Sequence, residues 1–130
     1  MAIQLKNDKV NCIIATVKTG VTVTRGYALA INSSGEVVLA DADGTEWTDF
    51  PARGFAATDT AAGSKVTVLR KGKLSGFSGL TIGKDVYLSE TAGGITQTAP
   101  SDTGDCVQKV GWAISATEIV IEIEEHSVHA

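Results

Sequence analysis

The sequence predicts an all-β fold, a small barrel or sandwich of about eight to ten short strands. Three observations carry that expectation. Val, Ile and Thr supply 13, 10 and 15 of the 130 residues, and branching at Cβ restricts χ1 in a way that suits a pleated surface better than a helix. The 14 glycines are spread along the whole chain as turn punctuation. Near the C terminus, EIVIEIEE sets Ile119, Ile121 and Ile123 on one face and Glu118, Val120, Glu122 and Glu124 on the other, the period of a half-buried strand. The length fits one domain with one core, hiding about two thirds of the surface the unfolded chain exposes.

The elements follow in order. Residues 1–9 form an N-terminal arm, 10–125 a single β domain, and 126–130, HSVHA, a tail expected to be mobile for want of anything to pair with. VNCIIATV, from Val10 to Val17, is a strand by length and branching, and Thr19-Gly20 turns it. Val21 and Val23 alternate with Thr22 and Thr24 until Arg25-Gly26 breaks the run. A hairpin is expected from Tyr27 to Ala40, bent at the turn formers Asn32-Ser33-Ser34-Gly35. DADGTEWTDFP is a polar loop with two aromatics in it. RGFAAT and KVTVL return to strand character, and RKGK makes a basic bend. LSGFSGLTIGKD reads as a glycine-rich connection, after which come VYLSE, a bend at Gly93-Gly94, ITQTAP, the loop SDTGD and the run CVQKVGWAI.

The two halves share an order of signals. Tyrosine, strand, glycine turn, strand, acidic loop, Gly-aromatic-Ala and alternating strand occur as Tyr27, Gly35, Val37, Asp41, Gly54-Phe55-Ala56 and Val66 to Leu69. They recur as Tyr87, Gly94, Ile95, Asp102, Gly111-Trp112-Ala113 and Ile119 to Ile123. Two copies are too few for a solenoid, so the repeat predicts a pseudo-symmetric barrel or sandwich.

Charge and composition exclude several functions. With 11 basic and 15 acidic side chains the net charge is -4, which disfavours nucleic acid as a partner. No run of about 18 apolar residues is present, and Lys6, Asp8 and Lys9 interrupt the start before a signal peptide could form, so a soluble protein made in a cytoplasm is expected. Cys12 and Cys106 fit neither a metal nor a redox spacing and read as buried thiols. Only 20% of the residues are charged, leaving a surface that Ser, Thr, Ala and Gly must cover and that is easily buried against another protein.

Few residues are placed in a pattern that carries chemistry. Gly79 to Asp85, GLTIGKD, has three residues between its glycines where a phosphate loop needs four, and Asp85 stands where a Ser or Thr should follow the lysine. His126 and His129 lie in the expected tail, where nothing would orient them as catalytic bases, and two ligands do not make a structural zinc site. No cofactor is expected. Asp41, Asp43, Glu46 and Asp49, with Gly44 among them, are the best candidate for calcium, against the plainer reading of a solvated loop. Trp47 and Phe50 in the same loop are candidate contacts for another subunit or a sugar, or else they cap the core. Arg70, Lys71 and Lys73 are too few and too local for a nucleic-acid groove.

From about Val21 to Ile123 the chain resembles the small capsid decoration, or cement, proteins of tailed bacteriophages. The resemblance rests on GKDVYLSETAGGITQTAPSDTGDCVQKVGWAISATEIVIEI, with RGYALAINSSGEVVLA and ARGFAAT in the first half. It implies a β protein without catalytic activity. Such a protein is commonly a homotrimer that binds the major capsid protein on the outside of the head at three-fold and quasi-three-fold positions and stabilises the shell. It would be synthesised in the host bacterial cytoplasm and end on the virion. N-terminal segments in that family often reach to neighbours, which makes Ile3 and Leu5 further candidate contacts. Similar strands and turns occur in phage fibre modules, so a tail-fibre or receptor-binding module that contacts cell-surface glycans is the alternative.

Overall fold

A computed structural model describes residues 11–130. The arm at 1–9, with Ile3 and Leu5, lies outside the described residues. Twelve strands form, two more than the upper end of the expectation, and no helix appears among the described residues. The excess consists of two-residue strands, which are too short to leave a periodic signal in sequence.

β1 (Cys12–Thr16), β2 (Ala28–Ile31), β3 (Val37–Leu39), β4 (Gly54–Ala56) and β5 (Lys65–Leu69) make one antiparallel sheet in the order β1-β5-β4-β2-β3. β6 (Lys71–Ser75), β7 (Asp85–Leu88), β8 (Ile95–Thr96), β10 (Lys109–Ala113) and β11 (Glu118–Glu122) make a second, ordered β6-β11-β10-β7-β8. β9 (Cys106–Val107) and β12 (Ser127–Val128) pair as a third, two-stranded sheet. The sheets stack as a sandwich and do not close into a barrel. The first curls until β1 and β3 approach, but they touch at the single bridge Val17↔Val37 and form no ladder.

The repeat is the organising feature of the fold. Writing the second sheet's order beneath the first matches β6 to β1, β11 to β5, β10 to β4, β7 to β2 and β8 to β3. Backbone bonds match as well: Gly26 N–H donates to Ala56 O and Ala56 N–H to Tyr27 O, while Gly83 N–H donates to Ala113 O and Ala113 N–H to Lys84 O. These bonds correct one detail of the expectation. Lys84, not Tyr87, is the counterpart of Tyr27, and Tyr87 falls inside β7 where the first half has Ala30.

Alternation divides the first sheet between two cores. Leu29, Val37, Ala56, Val66 and Val68 point into a core enclosed by the curl of that sheet, together with Val17 and Val23. Ala28, Ala30, Val38 and Phe55 point the other way, against Leu74, Val86, Leu88, Ile119 and Ile121 of the second sheet. The last strand therefore has the predicted register, with Ile119 and Ile121 buried and Glu122 exposed. The two halves are alike in topology and unlike in burial. The face that is buried in the first half as Ala28, Ala30 and Phe55 corresponds to Asp85, Tyr87 and Trp112, all half-buried, and there Lys109 Nζ reaches Asp85 Oδ1 at 3.3 Å.

The C-terminal segment departs from expectation. Ser127 pairs with Val107 and Val128 with Cys106, while Gly104 N–H donates to His129 O and His129 N–H to Asp105 O, both at 2.8 Å. The partner is β9, whose two residues lie inside CVQKVGWAI and could not be told from β10 by periodicity. The cysteines also divide: Cys106 is buried as expected, and Cys12 is exposed on the edge strand β1.

Candidate interaction surface

The loop from Gly44 to Phe50 winds tightly on itself. Thr45 N–H donates to Asp49 Oδ2 at 2.8 Å, Asp49 N–H to Thr45 O at 2.7 Å, and Trp47 N–H to Phe50 O at 2.6 Å. Gly44 is required there, since a Cβ would lie 2.5 Å from the Asp49 Cβ. The winding drives Trp47 to a φ of 69°, the only positive value among the described residues that are not glycine.

This geometry separates the two aromatics that the sequence placed together. Phe50 is buried in the core and 3% exposed, so it caps the core and offers no contact surface, a correction to its candidacy. Trp47 stands out at 58% exposure. It is nevertheless held, because the His126 ring meets Trp47 edge-on at 5.1 Å and Phe50 at 5.7 Å. His126 Nε2 in turn lies 2.7 Å from Glu46 Oε2. The histidine expected to be unoriented is thus fixed by three residues of one loop, brought to it by the β9–β12 pairing. That contact was not visible in sequence because 80 residues separate Glu46 from His126.

Trp47, Arg53, Arg70 and His126 line a cleft of about 490 Å³. Its floor includes Gln108, which the sequence reading did not single out. Gln108 is 2% exposed and fully bonded: Oε1 accepts Ala52 N–H at 2.7 Å, and Nε2 donates to Ala52 O at 3.0 Å and Glu124 O at 2.9 Å. It ties the first half to the end of the second and has no polar atom to spare. Asn11 O accepts Arg70 N–H at 2.7 Å, next to one wall of this cleft.

The acidic loop, the best candidate for calcium in the sequence, does not converge on a point, in keeping with the plainer reading of a solvated loop. Asp41 Oδ1 accepts Asp43 N–H, Asp49 Oδ2 accepts Thr45 N–H, and Glu46 is engaged by His126. Burial, with the Asp43 and Asp49 charges adding to it, pushes the Asp41 carboxyl up to about 6. Among the described residues, the acidic side chains that do converge are Glu90, from the turn after β7, with Asp102 and Asp105, from the loop before β9. Hydrogen bonds shared with Asp105 and Asp102 push the Glu90 carboxyl up to about 7.

The phosphate-loop candidate is committed to structure. Thr81 N–H donates to Gln97 Oε1 at 2.8 Å, Gly83 N–H to Ala113 O at 2.7 Å, and Lys84 N–H to Thr81 O at 3.2 Å. The Thr81, Gly83 and Lys84 amides are thus spent within the fold, and the segment is the counterpart of the Thr24-Arg25-Gly26-Tyr27 turn.

Fold and surface together define an all-β sandwich built from two copies of one five-stranded unit, with a fixed, exposed tryptophan lining a cleft. No protein-family model and no curated protein matches the chain. None of the described residues belongs to a helix long and apolar enough to cross a membrane.

Proposed function

We propose that this chain is a phage head decoration protein that binds the major capsid protein on the outer surface of the shell, as a homotrimer at three-fold and quasi-three-fold positions, and stabilises it. The observation that carries the reading is Trp47. An aromatic that is 58% exposed yet fixed by His126 and by its own loop has already lost the conformational entropy that binding would otherwise cost. Edge strand β1 supports it, since CIIAT carries no charge and Ile14 is 68% exposed. An uncharged edge of five residues is an aggregation hazard unless a partner covers it. On a shell, such contacts act together because one trimer presents each of them three times. The protein then acts without catalysis, on the virion, after synthesis in the bacterial cytoplasm.

Light scattering on the purified protein should give a trimer, and sedimentation with mature, expanded heads should show binding. Trp47→Ala should keep the wild-type circular dichroism spectrum while weakening head binding by about 30-fold or more. A monomer that ignores heads would overturn the proposal. The second reading, a tail-fibre or receptor-binding module, is favoured by one observation: Trp47 lines a cleft together with the charged side chains Arg53 and Arg70, as a residue that stacks on sugar does. In a Trp112→Phe background, a shift of the remaining Trp47 fluorescence on adding cell-surface polysaccharide would select it.

A further inference from the structure

Glu90 sits in the turn between β7 and β8, and Asp102 and Asp105 in the loop that leads into β9. One carboxylate oxygen from each lies within 4.8 Å of the other two. Three acidic groups so placed repel one another, and an exposed cluster would relax outward. This one cannot relax fully. Asp105 is 4% exposed, and both its neighbours in sequence are held by backbone bonds, Gly104 N–H to His129 O and Cys106 N–H to Ala42 O. Its Oδ2 is buried and has no hydrogen-bond partner. A buried carboxylate oxygen without a partner is costly, and the protein supplies no lysine or arginine among the described ion pairs to offset it.

We infer that Glu90, Asp102 and Asp105 form a binding site for a divalent cation of the calcium class. Calcium takes oxygen ligands at about 2.3–2.6 Å, so ligands on opposite sides of the ion stand about 4.6–5.2 Å apart. Oxygens that all lie within 4.8 Å of one another fit on that sphere. Magnesium usually keeps several waters and is held through one or two carboxylates, so a cluster of three suits calcium better. Buried Asp105 supplies the fixed ligand. Glu90 and Asp102 are exposed, and Glu90 also lines a polar cleft of about 300 Å³, which leaves water access to the remaining coordination positions.

The ion would add a cross-link where the two halves and the C-terminal segment already meet through backbone bonds. Ser89, next to Glu90, accepts Ala42 N–H from the first half at 2.8 Å, and Asp105 accepts His129 N–H from the C-terminal segment. Calcium therefore locks the seam between the halves together with β12.

The test uses the full-length protein, stripped with a chelator and titrated with calcium chloride against sodium chloride of equal ionic strength. Calcium at millimolar concentration should raise the Tm by about 5 °C or more, as expected for a site of the 10⁻⁴ M class. Calorimetric titration should give one ion per chain. Glu90 is exposed, so Glu90→Gln should fold; it should raise the calcium-free Tm by easing repulsion and lose most of the calcium increment. Asp105→Asn should lose the increment as well. No shift beyond that of sodium chloride would overturn the inference, as would a shift that survives Glu90→Gln unchanged. A magnesium shift as large as that of calcium would overturn the assignment to calcium.

Discussion

Gly54 and Gly111 show how much one hydrogen atom in place of a methyl group decides. A Cβ on Gly54 would collide with the carbonyl oxygen of Leu69, and one on Gly111 with that of Val120, the matching residue in the other half. The repeated Gly-aromatic-Ala was legible in sequence, but its reason was not, because the carbonyl that excludes a side chain belongs to a strand further along the chain. Gly54→Ala and Gly111→Ala should each destabilise by about 1–3 kcal/mol in urea unfolding, as overpacked cores do. The cysteines make a second prediction at this scale. Burial, with Glu46 and Asp105 nearby, pushes the Cys106 thiol up to about 12, whereas Cys12 is exposed on β1. A thiol reagent at pH 8 should therefore modify one cysteine rapidly in the native protein and the second only after denaturation.

Among elements, β11 was the most legible and β12 the least. Ile119, Ile121 and the exposed Glu122 follow the alternation that sequence shows, because one face of the strand is covered and the other is wet. Ser127 and Val128 are both exposed, so nothing in their composition reports the pairing with β9; only the backbone bonds do. Two consequences follow from the difference. Ile121→Asp places a carboxylate in the core and should abolish cooperative unfolding under conditions where Val120→Asp, on the half-buried face, remains folded. Removing residues 126–130 deletes β12 and the His126 ring that braces Trp47; it should lower the Tm by about 5 °C and shift tryptophan emission to the red.

The whole molecule is two similar units packed through a shared core, with acidic side chains close to where Ala42 meets Ser89. Asp41 is raised from 3.8 to about 6, mainly by burial, and Glu90 from 4.5 to about 7, mainly by hydrogen bonds shared with Asp105. A carboxyl whose pKa is raised on folding binds its proton more tightly in the native state. Its contribution to stability is present in full below the unfolded pKa and is lost as pH climbs through the folded value. Stability from urea unfolding should accordingly fall between about pH 4 and pH 7, and Asp41→Asn should remove the part of that fall ending near pH 6. A profile that rises across this range would show that other groups dominate the linkage.

The class of fold, the twofold repetition of strands and turns and the inward face of the last strand were all legible in the residues. These rest on interactions within a few residues: Cβ branching, glycine turns and the period of two along a pleat. The sequence left open which aromatic of the 41–51 loop turns outward, where the last five residues bind and which carboxylates converge. Trp47 is exposed and Phe50 buried because the loop winds around Asp49, His126 is oriented by a residue 80 positions away, and Glu90 meets Asp102 and Asp105 only when two turns are folded over the seam. Each of those outcomes depends on contacts between distant segments, which come together only when the chain has folded.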